Sequence, residues 1–195
     1  MQPLIDNARM FGQRPEEFTG HAEGQSPEVL FITCSDSRVV PALITGARPG
    51  QLFELRTAGN IVPPHGTGHP SGEAATVEYA VQVLGVADIV VCGHSHCGAV
   101  GALVRGDDLT AVPAVRDWLA HAADEPKPCD PADPTVAGAV QHHVLAQLLR
   151  LRSYPCVERR LADGRLRLRL HGWYYEVHTG LVRAHRADTD AFETL

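Results

Sequence analysis

The chain has 195 residues, 44% of them apolar and 21% charged, with 17 Lys and Arg against 23 Asp and Glu for a net charge of −6. That make-up fits one soluble domain, with or without an appended arm, long enough to bury a substantial core. An acidic balance with no dense Lys/Arg run argues against nucleic-acid binding. Apolar runs of only six residues, such as 87–92, argue against a transmembrane segment, which takes about 20.

In chain order, residues 1–24 are polar and read as an N-terminal helical arm ahead of a domain over 25–195. The opening MQPLIDNARMF lacks a cationic stretch followed by an apolar core, so no export signal is expected. Cys34, Cys92, Cys97, Cys129 and Cys156 then read as thiols or metal ligands in a cytoplasmic protein rather than as a disulfide framework.

Three short apolar runs, 29–33 (VLFIT), 51–56 (QLFELR) and 88–92 (DIVVC), the first and last rich in β-branched residues, are flanked by Gly or Pro and predict buried strands. Between the last two, Ser71 precedes Glu73. Apolar residues then recur at helical spacing from Ala74 to Leu84, where Gly85 stops them. A second helix is expected from near Cys97 to Val104. Strand and helix in alternation predict an α/β fold with a mostly parallel, Rossmann-like sheet and right-handed crossovers.

Farther on, a short helix is expected over 114–123. Residues 124–135, with four prolines in twelve residues, read as a surface loop, and helix resumes over 136–152. The stretch 166–182 alternates Leu and Arg and then turns aromatic. With Asp163-Gly164 and Thr179-Gly180 as turns, it predicts an antiparallel hairpin that adds an edge strand.

Two polar clusters follow strands: Cys34-Ser35-Asp36-Ser37-Arg38 and Gly93-His94-Ser95-His96-Cys97-Gly98. Ligands of open parallel sheets bind beyond the carboxyl ends of the strands, so both clusters are expected to face one crevice. Two thiols, an imidazole and a carboxylate suit zinc: Cys34, His94 and Cys97, with Asp36 as a candidate fourth ligand. Competing motifs fail on spacing. Cys97 stands where a Gly-x-Ser-x-Gly elbow needs its last glycine, there is no Cys-x-x-Cys, and no glycine-rich phosphate loop follows a strand.

Taken in order, CSDSR at 34–38, RTAGN at 56–60, EYAV at 78–81, GHSHCG at 93–98 and HGWYY at 171–175 make the chain similar to β-class carbonic anhydrases over roughly residues 25–185. The resemblance implies four parallel strands plus an antiparallel edge strand, a Zn2+ cofactor, and a homodimer or dimer-based higher oligomer. It implies hydration of CO2 to bicarbonate and a proton by zinc-bound hydroxide. Asp36 and Arg38 would form the catalytic dyad, with Asp36 reaching the metal only in a closed state. Gln25, Gly98 and Tyr79 would be substrate-binding, and Arg56 an interface or anion-site arginine. Members inhibited by bicarbonate carry Trp three residues before the first ligand Cys. Phe31 stands there in this chain, which argues for a site open at neutral pH. His65, His69 and His96 are candidate proton relays. Two rivals stand beside this reading: a hydrolase of carbon disulfide or carbonyl sulfide on the same fold, and a non-catalytic zinc module closed by Asp36.

Overall fold

The computed structural model describes residues 1–66, 71–123, 133–163 and 168–195. His69, Cys129, residues 124–132 of the proline-rich stretch, and 164–167 at the start of the Leu/Arg alternation lie outside the described residues.

A six-stranded sheet organises the chain: β1 (Val29–Cys34), β2 (Leu52–Thr57), β3 (Asp88–His94), β4 (Arg169–Tyr175), β5 (Val182–Arg186) and β6 (Ala191–Thr194). Its spatial order is β2-β1-β3-β4-β5-β6. The first four strands are mutually parallel, and β5 and β6 are antiparallel additions at one edge. The expected mostly parallel sheet is present, with two corrections of detail. The strand in the 166–182 stretch pairs in parallel with β3, while the hairpin that joins it to β5 turns at the expected Thr179-Gly180. The antiparallel edge also holds a sixth strand that the sequence reading did not include.

Helices supply the crossovers. α1 (Gln2–Phe11) belongs to the arm, and α2 (Pro41–Thr45) links β1 to β2. α3 (Gly72–Glu78) is capped by the Ser71 hydroxyl, which accepts from Ala74 N–H. It runs on as a π-helical turn over Tyr79–Leu84 until Gly85 enters the left-handed region at φ 68°. α4 (Gly98–Arg105), α5 (Pro113–Leu119), α6 (Ala137–Arg152) and α7 (Pro155–Ala162) complete the set.

One face of the sheet buries Leu30, Ile32, Ile89 and Val91 against α3, α4, α6 and α7, forming the main core. α6 lies so close to β3 that a Cβ on Gly93 would sit 2.5 Å from Val140 Cγ1. The other face carries Phe31, Val90 and Cys92 with Trp173 and Tyr175, and opens into a cleft of about 680 Å³ that Asp88 and His171 also line. None of the ten residues of α1 is buried.

Topology places the functional end. From β1 the chain crosses to β2 on one side, then returns to β3 on the other side of β1. The order therefore reverses between β1 and β3, and a crevice opens where their carboxyl ends part. Cys34 ends β1 and His94 ends β3.

Candidate metal centre

The crevice brings the two polar clusters together. Cys34, His94 and Cys97 are all buried, and one ligand atom from each lies within 4.8 Å of the others. Cys34 and His94 arrive as the last residues of neighbouring strands, whereas Cys97 is the residue that caps the start of α4. Between them, His96 takes a positive φ of 56°, the tight turn that lets His-x-x-Cys present both side chains to one point.

Hydrogen bonding prepares these atoms for a cation. His94 Nδ1 donates to the Ser95 carbonyl at 2.9 Å. A carbonyl only accepts, so Nδ1 carries the proton and the lone pair of the neutral ring is on Nε2. That Nε2 is buried with no hydrogen-bond partner among the described residues, a costly arrangement unless a metal takes the lone pair. The Cys34 thiol is held well below its ordinary range: Cys97 donates to its sulfur, and the backbone N–H groups of Asp36 and Gly59 add to this. The Cys97 thiol is pushed up, because it donates its proton to Cys34 and is buried beside that charge. A divalent ion bound between the two sulfurs would supply the field that deprotonates both. The donor set fits zinc, which at catalytic sites takes three such sulfur and nitrogen ligands and keeps a fourth position for water or substrate.

Asp36 stands next to the cluster, its Oδ2 3.9 Å from His94 Nε2, but its carboxylate is turned to Arg38. Arg38 Nε donates to Oδ1 at 2.9 Å and Nη2 to Oδ2 at 2.7 Å, while the Arg38 backbone N–H also reaches Oδ1 at 2.9 Å. These bonds hold the Asp36 carboxyl far below the usual carboxylate range. Arg38 Nη2 also donates to the His96 carbonyl at 3.2 Å, tying the first cluster to the second.

Arg56 has a role the sequence reading did not find. Its Nε and Nη2 donate to the carbonyl of Cys34, and Nη2 reaches those of Asp36 and Val39 at 2.9 and 2.7 Å. It clamps the 34–39 loop from behind through Nε and Nη2. No spacing in the sequence signals a bond from a side chain to backbone carbonyls.

Gly98 opens α4 beside Cys97, is exposed, and would offer open space to a Cβ. Gln25 and Tyr79 are not gathered here within this chain. Gln25 precedes the amino end of β1, and the strand carries Cys34 about 16 Å away from that end. Tyr79 packs on Phe53, ring centroids 5.9 Å apart. Phe53 is level with Leu30, about 13 Å back along the strand from Cys34. His96 adjoins the cluster with its ring 5.8 Å from that of His178, whereas His65 lies against Tyr154.

Comparison with known proteins agrees with this geometry. The sequence model of the family described as carbonic anhydrase matches residues 29–182. The chain belongs to the β-class carbonic anhydrase family. It is 47% identical to a carbonic anhydrase of Pseudomonas aeruginosa, over 94% of this chain and 87% of that protein. It is 43% identical to carbonic anhydrase 1 of Escherichia coli O157:H7, over 100% and 92%. Among solved structures, the β-carbonic anhydrase CcaA superposes with a TM-score of 0.90 at 38% identity, covering 100% of this chain and 99% of that one. A β-carbonic anhydrase of the ascomycete Sordaria macrospora, described as tetrameric, gives 0.76 at 31% identity, with 94% of each chain covered. The chain is therefore an enzyme of this family, with a Cys-His-Cys group suited to a metal.

Proposed function

We propose that this chain interconverts CO2 and bicarbonate at a zinc ion held by Cys34, His94 and Cys97. The observation that carries the reading is the convergence of these three atoms within 4.8 Å, beside a carboxylate that Arg38 keeps turned away from them. Bound there, zinc would supply the Lewis acidity that makes water a nucleophile near neutral pH. Asp36, ionised and acceptor-only, accepts a hydrogen bond from the attacking water and aims its lone pair at CO2. Arg38 fixes that aim by holding both carboxylate oxygens. The Gly98 N–H, at the positive end of α4, donates to an oxygen of the bicarbonate as it forms. Arg56, through the Cys34, Asp36 and Val39 carbonyls, keeps ligand and carboxylate in register.

Gln25 and Tyr79 enter this reading only as groups that serve a site on another chain, since β1 separates each from its own Cys34. The exposed α1, with Leu4 and Phe11 at 68% and 50% accessibility, supports assembly into a homodimer or dimer-based oligomer. A ten-residue helix is marginal in water unless it packs against something. Cys34, Cys92, Cys97 and Cys156 carry no disulfide, which supports a reducing compartment such as the cytoplasm. Among the described residues no helix is long and apolar enough to cross a membrane.

A closed, structural zinc module would need Asp36 as fourth ligand, and the Arg38 bonds oppose that. The deciding experiment measures zinc content and stopped-flow CO2 hydration on the purified protein, beside a sulfide-release assay with carbon disulfide. We expect about one zinc per chain and hydration that disappears, with the metal, in Cys34→Ser. Zinc-loaded protein without hydration would overturn the proposal.

A further inference from the structure

Three polar side chains on α6 face inward and take no part in the chemistry above. His143 and Gln147 are 3% and 0% exposed, and Arg150 follows, so the three fall at i, i+4 and i+7 along one side of the helix. Valines and leucines there would fill the same stripe without any desolvation cost. Instead the row grips the chain that follows β2.

The gripping bonds have one consistent direction. Gln147 Oε1 accepts from Val62 N–H at 2.9 Å and from Arg150 Nη1 at 3.3 Å, and Arg150 Nη1 also donates to the Val62 carbonyl. An oxygen that accepts from both fixes which way the amide faces, so Gln147 Nε2 donates to His143 Nδ1 at 3.3 Å. With Nδ1 accepting, His143 Nε2 carries the hydrogen and donates it to the Gly59 carbonyl at 2.8 Å. Gly59 in turn donates its own N–H to Cys34 Sγ at 3.3 Å. No side chain fits at Gly59: its φ is +73°, and a Cβ would lie 2.9 Å from Ala99 Cβ. The backbone itself approaches the sulfur, and α6 holds that backbone.

We propose that His143, Gln147 and Arg150 are positioning residues for the Cys34 sulfur, acting through Gly59. The row fixes residues 59–62 so that the Gly59 N–H stays aimed at Sγ. A sulfur that is oriented before the metal arrives binds it with less reorganisation, and the N–H draws charge from the metal–sulfur bond. The inference rests on the metal reading given above.

The test replaces His143→Phe, which keeps a ring of similar size and removes the donor to Gly59. The rescue is His143→Gln, whose Nε2 can reach the same carbonyl. Zinc affinity is measured by competition with a chromophoric chelator, and the sulfur-to-cobalt charge-transfer band is recorded on cobalt-substituted protein. We expect His143→Phe to weaken zinc binding about 10-fold and to shift the band, and His143→Gln to recover most of both. If His143→Phe does not fold, Gln147→Met, which removes the acceptor for Val62 and the donor to His143, gives the same comparison. A variant with wild-type affinity and wild-type band overturns the inference, even if its melting temperature falls, because the row would then only pin the loop. A wild-type protein that takes up no zinc overturns the metal reading itself, an outcome distinct from an unchanged variant.

Discussion

Half of the Arg38 side chain is open to solvent, and an exposed ion pair in such a place ordinarily contributes little to stability. Its value lies in geometry. Two parallel bonds fix the plane of the Asp36 carboxylate, and losing them leaves an acid free to rotate toward the ligand cluster. We expect Arg38→Ala to lower turnover about 100-fold while zinc stays near one per chain, since misaligned groups cost that order. The pH dependence separates orientation from ionisation. Arg38 depresses the Asp36 pKa, so the ionised dyad persists at all pH above the ordinary carboxylate range and is lost only as pH falls well below it. Without Arg38 the carboxyl returns toward about 3.9 and is still ionised at neutrality. The deficit should therefore be the same at pH 7 and pH 8.5, and recovery at the higher pH would mean that Arg38 acts through charge instead. Cys34, His94 and Cys97 were legible in the sequence because each lies at or just past a run with strand character. Arg56 was not, because its partners are carbonyls, which every residue has. Gln25 was named by the resemblance alone, and its own Cys34 does not lie beside it. Nine residues before Cys34 is near along the chain, but a six-residue strand in between makes it far in space.

At the scale of elements, the contact of α6 with β3 sets how firmly the His94 end of the sheet is held. A Cβ on Gly93 would meet Val140 Cγ1 at 2.5 Å and Val144 Cγ2 at 2.7 Å. Gly93→Ala should therefore cost about 1–3 kcal/mol in urea unfolding. Adding Val140→Ala should return part of that loss, because the two side chains compete for one space. Additive losses in the double variant would place the strain elsewhere. Local pattern revealed β1 and β3 as continuous buried runs rich in β-branched residues, and β2 as a short apolar run after Pro49-Gly50. It was weaker for β4, where the core face is built from Leu170, Gly172 and Tyr174, and a glycine leaves a gap in the alternation. Parallel or antiparallel pairing of that strand is a property of its neighbour, which its own residues do not encode. α7 was overlooked because Pro155 reads as a breaker inside a helix but is a starter in the first turn. β6 offers only Phe192 as a half-buried apolar residue, too little pattern for a four-residue strand.

At the scale of the whole molecule, the arm and the site point to a second copy. α1 exposes Leu4, Met10 and Phe11, and Gln25 lies at the end of the sheet away from its own Cys34. If Gln25 contributes its amide to bicarbonate, it does so across a symmetric interface, where each chain gives to the other what it receives. Complementation tests this. One chain carries Cys34→Ser, has no working metal site, and keeps Gln25. The other carries Gln25→Ala and keeps its ligands. Co-expressed with different affinity tags, half of the randomly paired dimers are mixed. Each mixed dimer restores one complete site, so about a quarter of all sites should regain full turnover. Purification through both tags should raise that fraction to about half, since every dimer then holds one complete site. Mixed dimers no more active per zinc than Gln25→Ala alone would show that the amide never crosses between chains. The substrate oxygen would then be bound by groups of the same chain, with the Gly98 N–H the nearest candidate.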